Sequence, residues 1–304
     1  MALELRLSGQ DKDLGGGFLV RRLLPSAQRQ AVGPFVFFDH FGPLDVQPGE
    51  IHDVRPHPHI GLATVSYLFD GAMMHRDSLG YVQRIEPGAI NWMTAGRGIV
   101  HSERVPEDLR QQAYRQHGLQ LWAALPQAHE ETAPDFVHTP AAEIPAVSLG
   151  ASEVRVLIGQ AFGQTSPVRT FSKTVYLDVK LAAGDTLELP PLADELAVYP
   201  VDEALEVAGE GLPARTLAVL APGVSTTIRA SAPARFVVIG GEALDGKRFI
   251  WWNFVSSRRE RIAQAGDDWT TQAMGRIEGD DEFIPLPERR LPPAETEIPK
   301  TPYL

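Results

Sequence analysis

The chain is predicted to be all-β, with two β-barrels in tandem and a short C-terminal helix. Three observations carry this. Its 27 glycines and 25 prolines are spread along 304 residues instead of clustering in one tract. Between them lie short apolar runs rich in β-branched and aromatic residues, the pattern of many brief strands joined by tight turns. Turn dipeptides also recur: Asp70-Gly71 sits between apolar runs, and Pro87-Gly88 in the first half is echoed by Pro222-Gly223 in the second. The halves therefore read as two copies of one β-rich module. The polar, proline-bearing stretch from Gln127 to about Pro145 marks the boundary, giving domains 1–138 and 139–304.

Taken in order, Leu3, Leu5 and Leu7 alternate as on a strand, and residues 18–24 form a second apolar run. The Gly15–Gly17 loop between them lacks the spacing and the following helix of a dinucleotide fingerprint. Residues 34–46 are a nearly continuous apolar strand carrying Asp39 and His40, a pair read as hydrogen bonding at a strand end. Residues 60–69 form a strand that enters the Asp70-Gly71 hairpin turn. Tyr81 to Ile85 and Ala89 to Thr94 follow as strands, and Gly118 to Pro126 holds one more. In the second half, residues 154–158, 175–181, 186–189, 224–229 and 235–239 are strand-like. After the apolar 250–255 stretch, Ser256 or Ser257 can cap a helix from Arg258 to about Met274, with Ile262, Trp269 and Met274 on its packed face. The tail from Pro285 is proline-rich and polar, and is expected to run extended over the surface.

Composition excludes several classes. The net charge is -11, which argues against direct nucleic-acid binding but leaves a protein partner open. There is no cysteine, so disulfides and thiolate metal sites are ruled out. The N-terminus lacks the basic and apolar regions of a signal peptide, and no apolar run approaches the ~20 residues of a membrane span. The expectation is a cytoplasmic protein without membrane contact.

The chemistry is concentrated in two segments. All nine histidines lie at or before His138. Arg55 to Gly61 carries His57 and His59, and Thr94 to Glu103 carries His101 and Glu103. Both pairs are spaced i, i+2, which on a strand places both side chains on one face. If the two strands are neighbours, three imidazoles and a carboxylate converge. That donor set suits Fe(II), Mn(II), Ni(II), Cu(II) or Zn(II) and not Ca(II), and it leaves one or two positions open for a substrate or O2. Ser102 points away from both neighbours and lacks a nucleophile-elbow context, so it is not read as a nucleophile. His75 with Asp77 is read as a solvated hairpin in preference to an acid/base pair. Trp92 and Met93 default to core, and His52, His117, His129 and His138 carry no assignment.

The motif His57-Pro58-His59-x-Gly61, the strand Thr64-Val65-x-Tyr67-Leu68, His75-x-Asp77 and above all the run from Trp92 to Glu103 resemble the pirin family of bicupins. The 35–41 stretch, Leu119 to Trp122 and Trp252 to Val255 look similar as well. The resemblance implies two cupin (jelly-roll type) barrels, the first holding one metal, usually iron, on His57, His59, His101 and Glu103. The second is expected to lack metal, in keeping with its missing histidines. The wider cupin pattern has a glutamate shortly after the H-x-H; here Leu62-Ala63-Thr64 stands there, so Glu103 is the expected fourth ligand. The resemblance further implies quercetin 2,3-dioxygenase activity on a flavonol with O2, with Glu103 also as the catalytic base. The alternative it implies is a non-enzymatic, iron-dependent redox regulator that binds a protein partner, a transcription factor or a metabolic enzyme.

Overall fold

In the computed structural model, residues 3–14 and 18–288 are described; the Gly15–Gly17 loop and the tail from 289 onward lie outside the described residues. Strands dominate, and Arg259–Thr270 is the α-helix among the described residues. No helix there is long and apolar enough to cross a membrane. The all-β expectation holds.

The chain divides into two compact units that interleave in sequence. One holds residues 13–19, 40–138 and 245–304; the other holds 1–12, 20–39 and 139–244. The chain passes from one unit to the other at 12/13, 19/20, 39/40, 138/139 and 244/245. The physical reason is strand pairing and side-chain packing. Leu3–Leu7 pairs antiparallel with Leu217–Leu220, so the N-terminal strand belongs with later residues. Arg29 and Glu195 form an ion pair at 2.8 Å in the same unit, and Glu195 also accepts from the Gly33 amide at 2.7 Å.

The unit with the N-terminal strand has a seven-stranded antiparallel sheet. Its order is Leu3–Leu7, Leu217–Leu220, Glu195–Pro200, Ala234–Gly241, Thr174–Leu181, Ser152–Ile158 and Ala146–Leu149. A four-stranded sheet built on Thr186–Leu189, Thr226–Arg229, Leu205–Val207 and Glu210–Leu212 completes it. Strand alternation sends Val154, Leu177, Val179, Val198, Phe236 and Val238 into a dry core.

The histidine-bearing unit also has two sheets. One orders Val54–His59, Ile99–Arg104, Met73–Asp77 and Val82–Ile85, all antiparallel. The other has seven strands in the order Asp135–Thr139, Ile90–Thr94, Leu62–Asp70, Tyr114–Ala124, Phe35–Val46, Leu19–Leu24 and Gln10–Asp13. Their inner faces meet: the Trp122 ring stands edge-on to His59 at 5.1 Å, and Ser66 Oγ reaches Glu103. Pro56 and Pro58 lie on Val54–His59, an edge strand, where a missing N–H is tolerated.

On the outer face, Ile60 and Val100 pack with Phe254, Ile262, Ala265 and Trp269, which seats the C-terminal helix on the histidine strands. The helix is Arg259–Thr270, shorter than its expected span, and its N-cap, Arg258, makes no side-chain cap bond. Neither serine caps it. Ser256 Oγ accepts the Arg258 amide, and Ser257 Oγ donates to Glu130. Met274 still packs on this cluster although the helix has already ended. Glu130 lies in the stretch expected to be a boundary, yet it is buried and paired with Arg248 at 2.9 Å.

Gly61 shows why the H-x-H-x-Gly spacing matters. Its φ is +67°, its amide donates to Gly96 O at 2.8 Å, and a Cβ would strike the Val255 carbonyl. A left-handed L-residue costs roughly 1–2 kcal/mol, and moving Val255 adds to this. Gly61→Ala is therefore expected to destabilise the protein by about 2–4 kcal/mol. Thermal denaturation should show a fall of roughly 5–15 °C; an unchanged midpoint would refute the close approach.

Candidate metal centre

Two neighbouring strands supply the centre. His101 lies directly opposite His57 in the antiparallel register, so His57, His59 and His101 come together. Ring centroids are 4.3 Å apart for His57 and His101, 5.0 Å for His59 and His101, and 5.0 Å for His57 and His59. One potential ligand nitrogen from each of the three lies within 4.8 Å of the others. All three side chains are buried.

Glu103 is placed differently. Against Met73–Asp77 the second histidine strand is regular, so Glu103 shares the face of His101. Against Val54–His59 the register slips between His101 and Glu103, where Glu103 falls opposite Val54. Pro56, which has no N–H to offer the ladder, sits at this bulge. Glu103 is thus outside the three-histidine cluster, and its Oε1 accepts from Ser66 Oγ at 3.4 Å. Ser66 Oγ also approaches Gln120 Oε1 at 2.8 Å.

Hydrogen bonds orient the rings. His57 Nδ1 donates to Arg55 O at 2.9 Å, and His59 Nδ1 donates to Asn253 O at 3.1 Å. A carbonyl only accepts, so each Nδ1 carries the proton and each Nε2 keeps its lone pair. The Asn253 carbonyl is delivered by a hairpin between Phe249–Trp251 and Phe254–Ser256. At its turn Trp252 adopts φ +53°, unusual for a bulky residue. Val255 N then bonds Ile60 O beside the first histidine strand.

Electrostatics favour neutral imidazoles. Burial pushes His57 down to about 4, against a partial upward pull from the Arg55 carbonyl. Burial first, and then the neighbouring imidazoles, hold His59 and His101 well below the ordinary histidine range. Burial pushes the Glu103 carboxyl up to about 7, opposed by the Ser66 hydroxyl. A transition metal fits these residues. His101 Nε2 is a buried nitrogen without a hydrogen-bond partner, which is how an unused ligand atom presents itself.

His75 and Asp77 are not a solvated hairpin: both are buried, and His75 Nε2 lies 2.9 Å from Asp77 Oδ2. Asp39 takes a two-point bond from Arg22 at 2.9 and 2.7 Å, whereas His40 Nε2 meets His117 Nε2 at 2.7 Å, so adjacent residues serve separate purposes. Trp92 is buried with its indole N–H on Thr94 Oγ1, as a core residue would be. Sequence reasoning missed Trp122, Ser66 and the Asn253 carbonyl. The first two lie on strands whose inward faces were already visible in the apolar alternation; a backbone carbonyl leaves no sequence signal.

The Pirin family model matches residues 17–123, and the model of the Pirin C-terminal cupin domain matches residues 176–275. A pirin-like protein of Caulobacter vibrioides is 45% identical over 290 residues, covering 94% of this chain and 100% of its own length. Pirin of Homo sapiens is 34% identical over 269 residues, covering 86% of this chain and 89% of its own. Among solved structures, a quercetin 2,3-dioxygenase from Acinetobacter baumannii superposes with a TM-score of 0.87 at 32% identity, covering 96% of this chain and 97% of its own. With its motifs, both cupin domains and near full-length relatives in agreement, this chain belongs to the pirin family.

Proposed function

We propose that the protein is a metal-dependent dioxygenase that opens the flavonol ring of quercetin with O2, releasing a depside and carbon monoxide. The observation that carries this is the convergence of three imidazoles, in a chain similar over nearly its whole length to the Acinetobacter baumannii quercetin 2,3-dioxygenase. His57, His59, His101 and Glu103 would hold one divalent ion, with iron(II) first in line; Mn, Ni, Cu and Zn also suit three nitrogens and a carboxylate. Bound there, the ion supplies Lewis acidity toward the flavonol hydroxyl and a redox-active position for O2.

The protein's own groups do the rest. Glu103 takes the proton from the 3-hydroxyl, a role that suits a carboxyl whose affinity for protons burial has raised. Ser66 Oγ lies 3.4 Å from Glu103 Oε1 and would help to orient that carboxylate. Trp122, whose ring lies 5.1 Å from that of His59, would be the aromatic neighbour of a bound flavonol. Metal analysis of anaerobically purified protein, followed by quercetin-dependent oxygen uptake on the same sample, tests the reading. About one transition metal per chain and one O2 consumed per quercetin are expected. Metal-loaded protein that leaves the quercetin absorbance unchanged would dispose of it.

A further inference from the structure

The buried His75–Asp77 pair is not part of the ligand set, yet it touches it. His75 pairs across the sheet with Glu103, and Asp77 with His101. His75 Nδ1 lies 3.4 Å from His101 Nδ1, while His75 Nε2 is 2.9 Å from Asp77 Oδ2. The other oxygen, Asp77 Oδ1, accepts the backbone amides of Leu79 at 2.9 Å and Tyr81 at 3.1 Å. Phe136 stacks nearly parallel on the His75 ring, 14° from coplanar at 4.1 Å, and fixes its plane. The aspartate is thus clamped by a turn on one side and faces an oriented imidazole on the other.

Donors and acceptors along this line can be ordered in one satisfactory way. A carboxylate offers acceptors only, so His75 Nε2 carries a proton. His75 Nδ1 is then a lone pair, and the proton between the two histidines sits on His101 Nδ1. His101 Nε2 is left as a lone pair, and it is the buried atom with no hydrogen-bond partner. The reverse order would put an N–H on that atom and leave a buried donor unmet, which is costly. We propose that Asp77 and His75 are positioning residues that fix the tautomer of His101, so that its Nε2 presents a lone pair to the metal. The same end is reached at His57 and His59 through backbone carbonyls, so the three rings are set by three independent acceptors.

This inference rests on the metal reading above, and the experiment separates the two. Asp77→Asn is nearly isosteric. Its amide oxygen would stay on the Leu79 and Tyr81 N–H groups, turning its NH2 toward His75 Nε2 and reversing the line. Zinc affinity, measured by chelator competition, is expected to weaken roughly 10- to 100-fold, the usual effect of losing a supporting group behind a ligand. Long-range 1H–15N spectra of metal-free protein should show His101 protonated on Nδ1 in the wild type and on Nε2 in D77N. A bystander pair would move neither quantity. His75→Phe keeps the stacking on Phe136 but removes the acceptor for His101, and is expected to weaken zinc binding similarly.

Wild-type affinity in both variants, or a wild-type His101 protonated on Nε2, overturns the proposal. If D77N does not fold, the wild-type spectrum and H75F decide it. Wild-type protein that takes up no zinc overturns the metal reading instead, and the tautomer assignment is then judged on the spectrum alone.

Discussion

His101→Ala is expected to strip the protein of its metal and reduce quercetin consumption to background. His101 stands opposite His57, and its ring lies within 5.0 Å of both other imidazoles. Removing it leaves two nitrogens on one edge strand, with Glu103 outside their cluster. Loss of a supporting group already weakens binding roughly 10- to 100-fold, and loss of a ligand should exceed this. Metal content and affinity should therefore fall by more than a hundredfold, and oxygen uptake with them. The side chain is small and its hydrogen bonding confined to His75, so folding should survive, as circular dichroism would report. A fully metallated H101A protein would show that the three histidines are a structural cluster and not a ligand set.

Glu103→Gln should separate base from scaffold. At saturating metal, kcat is expected to fall about 10²- to 10⁴-fold, the usual contribution of a positioned general base. The amide keeps the shape and can still bond Ser66, so the site should not collapse. Stability should move the other way. Burial raises the folded carboxyl to about 7 from an ordinary 4.5, so its stabilising contribution is present below about 4.5 and is lost as pH rises through 7. Metal-free E103Q escapes this penalty and should melt at or above the wild-type temperature at pH 8, by an amount corresponding to about 1–3 kcal/mol. Slow turnover in a protein of undiminished stability would assign the base. Wild-type turnover in E103Q would remove Glu103 from the mechanism.

Much of the site was legible because strand geometry is local. A period of two fixes that His57 and His59 share a face, that His101 and Glu103 share another, and that Ser102 does not join them. Turn dipeptides and scattered glycine likewise announce an all-β chain, and the run from Trp92 to Glu103 is specific enough to point to the family. Gly61 belongs to the same local grammar, since its positive φ is a property of one residue.

Tertiary structure decided what depends on non-local pairing. The apposition of His101 with His57 is a matter of register between residues 44 positions apart in sequence, and local periodicity does not encode it. The bulge that sets Glu103 apart arises where a proline strand meets a regular one. The carbonyl orienting His59 arrives from Asn253, 194 residues away. His75 and Asp77 looked like an exposed hairpin because alternation shows which face a side chain shares, not what covers that face; Phe136 and His101 cover it. The termini exchange units for the same reason, because Leu3–Leu7 completes a sheet edge and the C-terminal helix covers Ile60 and Val100. Sequence determined which residue types could form a metal centre and on what kind of strand; the folded chain decided which of them meet, and which protons they carry when they do.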